Sequence, residues 1–251
     1  SNRTVGNLRY YKVNTGEEVK KIRTTEVSAG LNYNPGVTYV NTKQQRLPIN
    51  LDSPELSLRH TTGLDGFMGG QYKSNITSLG IYKRQWLGSF GYIDFNIVGK
   101  IQWNKVPFSM LIQPPVNLSI FEQEATISMM KDWEFLSDRQ VFWSVAWDMN
   151  GKLLNRIPLI KKLKWREYIA AKGVWGQLTD KNNPLKNPND DVLFKFPNNS
   201  YTFGDTPYWE LVAGVHNIFK FFGIDYVRRI NYLNHPNVDK WGIRMGFLMT
   251  F

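Results

Sequence analysis

Apolar and polar residues alternate with period two along most of this chain. From 90 to 105 the alternation places Ile93, Phe95, Ile97, Gly99, Ile101 and Trp103 on one face, with Asp94, Asn96, Val98, Lys100, Gln102 and Asn104 on the other. The run exceeds the five or six residues of an ordinary strand and matches the roughly 9 to 11 needed to cross a bilayer at a tilt. Residues 138–148 repeat the pattern, with Val141, Trp143, Val145 and Trp147 opposite Gln140, Ser144, Ala146 and Asp148. The last run sets Trp241, Ile243, Met245, Phe247, Met249 and Phe251 against Gly242, Arg244, Gly246, Leu248 and Thr250. Noisier alternation marks 22–40, 54–62, 164–175 and 207–219, and 72–86 and 224–232 are strand-like. With 4–13 the count is about ten strands, an even number as in single-chain bacterial barrels. No helix of note is predicted. The expected fold is all-β, a transmembrane antiparallel up-and-down β-barrel over 1–251, either one complete domain or the C-terminal portion of a larger barrel.

Connection lengths fit that expectation, because outer-membrane barrels join strands by short periplasmic turns and longer extracellular loops. With the last strand ending on the periplasmic side, 234–240, 179–205 and 107–137 fall outside, and 221–223, 150–163 and 87–89 fall inside. The two longest connections are both outside. Residues 180–205 are rich in Asn, Asp, Pro and Lys and are expected to be solvated.

Composition changes the picture in three ways. Nine Trp, twelve Tyr and fifteen Phe suit a lipid boundary, and Trp86, Phe90, Trp103, Trp143, Trp165, Trp175 and Trp209 fall near expected strand ends. A net charge of +10 raises nucleic acid as a partner, but Lys and Arg are scattered and no recognition motif gathers them, so no nucleic acid is expected. The absence of cysteine excludes disulfides, thiolate metal sites and thiol nucleophiles. No apolar run reaches the 18 or so residues of a spanning helix, and the chain opens at Ser1 without a charged, apolar leader, so an export signal is expected outside it.

Three segments carry a family resemblance: Glu134-Phe135-Leu136-Ser137-Asp138-Arg139, then Leu154-Asn155-Arg156-Ile157-Pro158-Leu159-Ile160-Lys161-Lys162-Leu163-Lys164-Trp165-Arg166-Glu167, then Pro207-Tyr208-Trp209-Glu210-Leu211. They resemble an uncharacterised outer-membrane β-barrel family whose members usually carry an N-terminal carboxypeptidase-regulatory-like domain. A weaker similarity runs to outer-membrane assembly and two-partner secretion barrels, but 107–137 lacks their Arg-Gly-Phe or Arg-Gly-Tyr lid motif. The resemblance implies a C-terminal barrel portion without the accessory domain, and no protease chemistry.

Candidate chemistry is sparse. His60, His216 and His235 lack metal-ligand spacing, and no nucleophile elbow, phosphate loop or dinucleotide fingerprint occurs, so no metal, cofactor or catalytic residue is expected and the chain is not read as an enzyme. His216 and Glu210 share a strand face and are expected to pair by hydrogen bonding. Asp94, Lys100, Arg166, Lys172, Glu210, His216, Arg229 and Arg244 form the expected inward, lumen-lining set, mixed in sign so as to cross-link a narrow lumen or line a conduit. Lys161, Lys162 and Lys164 read as a solvated rim.

The alternating end Trp241, Ile243, Met245, Phe247, Met249, Phe251 resembles the signal read by the outer-membrane assembly machinery. That strand is expected to pair with 225–232, and with 4–13 if the ring closes alone. The partners expected are outer-membrane lipid and lipopolysaccharide, the assembly machinery, and another polypeptide or missing N-terminal strands completing the ring. The function expected from the resemblance is assistance in export, assembly or surface display of other molecules at the bacterial outer membrane. The alternatives are a passive pore or receptor-type channel, or a structural barrel with an extracellular binding surface.

Overall fold

The computed structural model describes residues 9–42 and 45–247. In chain order its strands are β1 (Tyr10–Tyr11), β2 (Glu18–Val19), β3 (Glu26–Tyr33), β4 (Tyr39–Asn41), β5 (Arg46–Pro48), β6 (Glu55–Gly63), β7 (Ser74–Trp86), β8 (Tyr92–Gln102), β9 (Arg139–Asp148), β10 (Arg166–Gln177), β11 (Tyr208–Ile218), β12 (Phe222–Arg229) and β13 (Trp241–Phe247). Nine form one antiparallel sheet in the order β13-β12-β11-β10-β9-β8-β7-β6-β3. Each expected strand from 54–62 onward contributes a strand to this sheet, and 22–40 contributes β3, so the period-two pattern located the sheet. The single turn α1 (Pro158–Lys161) is the α-helix among the described residues.

Two expectations change. The segment 22–40 is not one strand, because it breaks at Asn34-Pro35-Gly36, where Pro35 has no amide to donate to a ladder, and β4 folds onto β5 as a separate hairpin. Of the pairing expected between 4–13 and the last strand if the ring closes alone, nothing is seen among the described residues 9–13 and 241–247. Instead β1 pairs with β2, and Lys12 bridges Phe194. No closed ring forms among the described residues, and β3, at the far edge from β13, is exposed along both faces. Residues 248–251, including Met249 and Phe251 of the terminal alternation, lie outside the described residues.

The sheet has two unlike faces. Along β12 burial alternates strictly, with Gly223, Asp225, Val227 and Arg229 buried and Phe222, Ile224, Tyr226 and Arg228 exposed. We call the buried side inner and the bare side outer. The outer side carries a continuous apolar strip that includes Leu31, Leu58, Leu79, Ile97, Val145, Ile169, Leu211, Ile224 and Ile243.

The strip is staggered against the register. The residues directly opposite one another in the ladder are Tyr33, Leu56, Ile81, Ile97, Trp143, Gly173 and Trp209. On β3 the apolar residues Leu31, Ala29 and Val27 lie to one side of that line; on β8 and β9 they straddle it; on β12 and β13 Tyr226, Ile224, Ile243 and Met245 lie to the other. A band level in space but slipping about one residue per strand requires strands inclined to it, by roughly the 35–45° of barrel walls. Near this line Trp143 lies over Gly173, where a Cβ would overlap its indole, and meets Trp209 edge-on at 5.0 Å between ring centres. Trp143 thus sits in the middle of β9 rather than at a strand end.

The long connections 103–138, 178–207 and 230–240 share one end of the sheet with 64–73 and the N-terminal segment, while 34–54, 87–91, 149–165 and 219–221 share the other. At the loop end Tyr10, Val106, Phe108, Leu111, Leu136 and Phe194 pack as a capping core. The connection 107–137, expected on the outside, does not project freely from the loop end. It folds down the inner face, where Ile127, Met130 and Phe135 pack on Phe142, Val174 and Tyr208. The cause is compositional: the loop carries too many large apolar residues to stay in water. Within 178–207, Asn182, Leu193 and Phe194 are buried as well, so that stretch is only partly solvated.

Candidate functional site

Four successive strands each present one inner-face charge to loop 103–138. On β10 Lys172, fully buried, binds the Glu122 carboxylate and donates to the Gln123 carbonyl at 2.7 Å. On β11 Glu210 accepts the backbone N–H groups of Ser128 at 2.9 Å and Met129 at 2.6 Å, and the hydroxyl of Tyr208 at 2.6 Å. On β12 Arg229 donates in a fork to Glu134, at 3.0 and 2.6 Å, and caps the Tyr232 carbonyl at 2.7 Å. On β13 Arg244 donates to the Ser128 carbonyl at 2.8 Å. The ladder sets Lys172, Glu210 and Arg229 directly side by side, while Arg244, opposite Asp225, lies further along the inner face and is reached by the loop.

Glu134 is the most fully satisfied member. Besides the guanidinium it accepts from His235 Nδ1 at 2.8 Å and the Lys131 backbone N–H at 3.1 Å. Burial pushes its carboxyl up, but the hydrogen bonds from Arg229 and His235 outweigh that and hold it below the usual glutamate range. His235 in turn stacks on Tyr201 at 3.9 Å, and Phe135 stacks on Phe203 at 4.3 Å, so the loop's polar anchors are set in aromatic packing. The loop also touches the sheet edge: Met245 donates its N–H to the Ile120 carbonyl at 2.9 Å and accepts from the Glu122 N–H at 2.8 Å, a parallel bridge at Phe121.

A second polar group lies on the inner face toward the turn end. Arg84 forks onto Asp94 at 2.7 Å for both bonds, Tyr82 donates to Asp94 at 3.0 Å, and Arg84 sits 3.9 Å over the Tyr92 ring. Arg166 is 4.0 Å from Asp148, and His216 stacks on Tyr168 at 4.3 Å. His216 does not pair with Glu210. Six residues along a strand separate them by about 20 Å, and His216 instead bonds Asp225 across the ladder at 2.9 Å. Toward β6–β8 the inner face is less filled. Cavities of about 600 and 450 Å³ lie there, lined by polar groups such as Glu26, Ser74 and Asp132 in one and Arg59, Ser78 and Lys100 in the other.

All eight inward candidates therefore share the inner face. Lys172, Glu210, Arg229 and Arg244 are brought together on the loop; Asp94, Arg166 and His216 form the turn-end pairs; Lys100 stands apart beside the smaller cavity. Sequence reasoning missed the loop partners Glu122, Glu134 and His235 and the sheet residue Tyr208. A signal was present in the apolar content of 127–136, which marks a packed segment. Among the described residues no group of His, Asp and Glu is arranged to hold a metal ion, and His60 is exposed against Thr77. The arrangement is a set of charge-assisted anchors, chemically suited to hold or release a loop.

Residues 8–106, spanning β1 to β8, match the model of the C-terminal domain of a family of unknown function, DUF5686. The stretches 134–139, 154–167 and 207–211, on which the family resemblance rests, fall beyond that match. No curated protein matches the chain.

Proposed function

We propose that this chain is wall of a bacterial outer-membrane β-barrel that assists export, assembly or surface display of other molecules, with loop 103–138 as its constriction and no catalytic step of its own. The observation that carries the reading is the staggered apolar strip on the outer face, opposite an inner face of buried charges. A soluble two-layer sheet would need a partner layer over that strip; hydrocarbon satisfies it directly, and the stagger matches the strand tilt of a membrane barrel. The edge of β3, and that of β13 outside its bridge to the loop at Met245, are then joined by further strands, of this polypeptide or another, since lipid offers an open edge no hydrogen bonds. The alternation ending at Phe251 is the segment we expect the outer-membrane assembly machinery to engage.

Insertion into lipid vesicles followed by polarised infrared spectroscopy tests the wall. The expected result is resistance to alkaline extraction with strands tilted by about 35–45°. Release from vesicles as a soluble sheet would overturn it. The cavities beside β6–β8, lined by polar groups together with Ile76 and Leu111, favour a passive pore as the second reading. Planar-bilayer conductance separates the two: a constricted barrel is silent until the loop is undocked, whereas a pore conducts as isolated. Co-purification of an exported or displayed molecule supports the first reading.

A further inference from the structure

The outer face is not uniform. Across β10 and β11 the small residues Ala171 and Ala213 leave a groove of about 570 Å³ between ridges at Trp147 and Tyr226. That volume is within the roughly 300–1,000 Å³ of small-molecule sites, and the lining is apolar but for one side chain, Arg228. Arg228 is exposed, and among the described residues it has neither a hydrogen-bond nor an ion-pair partner. It stands at the loop end of the outward row Phe222, Ile224, Tyr226, Arg228, directly opposite Trp241, whose ring stacks with Tyr226 at 6.0 Å.

We propose that the groove binds one acyl chain of a phosphorylated lipid, with the phosphate on Arg228, and that the lipid is lipid A of the leaflet on the loop side. The inference rests on the membrane-wall reading. An unpaired guanidinium on a lipid-facing strand is tolerated near the interface rather than at the midplane, and aromatic rings such as Trp241 and Tyr226 gather at that level. Guanidinium donors match phosphate oxygens in a fork, which supplies the charge complementarity the groove otherwise lacks. The loop-side position selects the leaflet: in an outer membrane the long loops are extracellular, and the phosphorylated lipid there is lipid A.

The test uses the chain in phosphatidylcholine nanodiscs doped with lipid A, reading retained lipid by native mass spectrometry. Heat-modifiable mobility checks that each variant is folded. The wild type should retain one lipid A. Arg228→Gln, which removes the fork, and Ala213→Phe, which fills the groove, should each lower retention about tenfold. Arg139→Gln, at another exposed arginine on the outer face, should retain it. Equal retention by Arg228→Gln, or displacement by equimolar phosphatidylglycerol, would overturn the proposal while leaving the membrane wall standing. Failure of the wild type to enter nanodiscs would overturn both.

Discussion

Removing the Glu134 carboxylate as Glu134→Ala should loosen loop 103–138 without opening the wall. Arg229 has no exposed side-chain surface, and Glu134 takes both arms of its fork. Leaving such a charge buried and uncompensated costs about 3–5 kcal/mol, a shift of roughly a hundredfold to a few thousandfold in the opening equilibrium of the loop. Against this stand the apolar anchors Ile127, Met129, Met130, Phe135 and Leu136, all buried. At about 1.5–3 kcal/mol for each buried side chain, their sum exceeds the lost pair, so the loop should stay docked most of the time. Hydrogen-exchange mass spectrometry reads this directly. Amides of 127–137 should exchange faster by about that factor, while β8 and β9 keep their protection. The double replacement Glu134→Leu with Arg229→Met removes both charges and should recover most of the loss, because apolar substitutes for a buried pair are often neutral. Unchanged exchange in Glu134→Ala, or a double variant no better than the single one, would refute the account of the anchor.

Acid should act on the same anchor. Glu134 ionises at lower pH in the folded protein than in the unfolded chain, so its stabilisation is complete above the usual glutamate range and fades as pH falls through the depressed folded value; exchange of 127–137 measured from pH 6 downward should rise only at that acid end. Ile97→Arg, on the outer strip, should cost about 2–4 kcal/mol of folding stability in bilayers if it lies near the midplane; denaturant titration in vesicles measures it, and a neutral result would move Ile97 out of hydrocarbon. Gly214→Ala should destabilise by about 1–3 kcal/mol, because the added methyl overlaps the Asp225 carboxylate and lies 2.8 Å from the Ile224 carbonyl; loss of the His216 to Asp225 hydrogen bond, followed by histidine NMR shifts, should accompany it.

The sheet was legible because 90–105, 138–148 and 241–251 repeat clearly with period two and the other segments follow more noisily, and the inner set was legible because it is the polar phase of that repeat. Ring closure was not, since alternation says which face a residue takes and nothing about which edge finds which. The packing of the loop was not legible for a related reason. Residues 103–138 have no period, and their backbone groups are satisfied by side chains distant in sequence, as when Glu210 accepts from Ser128 and Met129. Pairing His216 with Glu210 failed on length alone. Sharing a face is necessary for contact, but only residues two apart on a strand, directly opposite or diagonal across the ladder are close enough, and Asp225, opposite Gly214, is the diagonal neighbour of His216.

The row of anchors on β10 to β13 bears on the order of assembly. Loop 103–138 precedes all four strands in the chain, yet its contacts reach forward across them, from Glu122 to Lys172 and from Ser128 to Arg244. Contacts so distant in sequence form late, because closing long chain segments costs entropy before any contact offsets it. Until β12 arrives Glu134 lacks its guanidinium, and until β13 arrives the Ser128 carbonyl lacks its donor. A docked loop therefore reports that the last strand is in place, and an undocked one exposes Ile127, Met130 and Phe135 as a marker of an unfinished sheet.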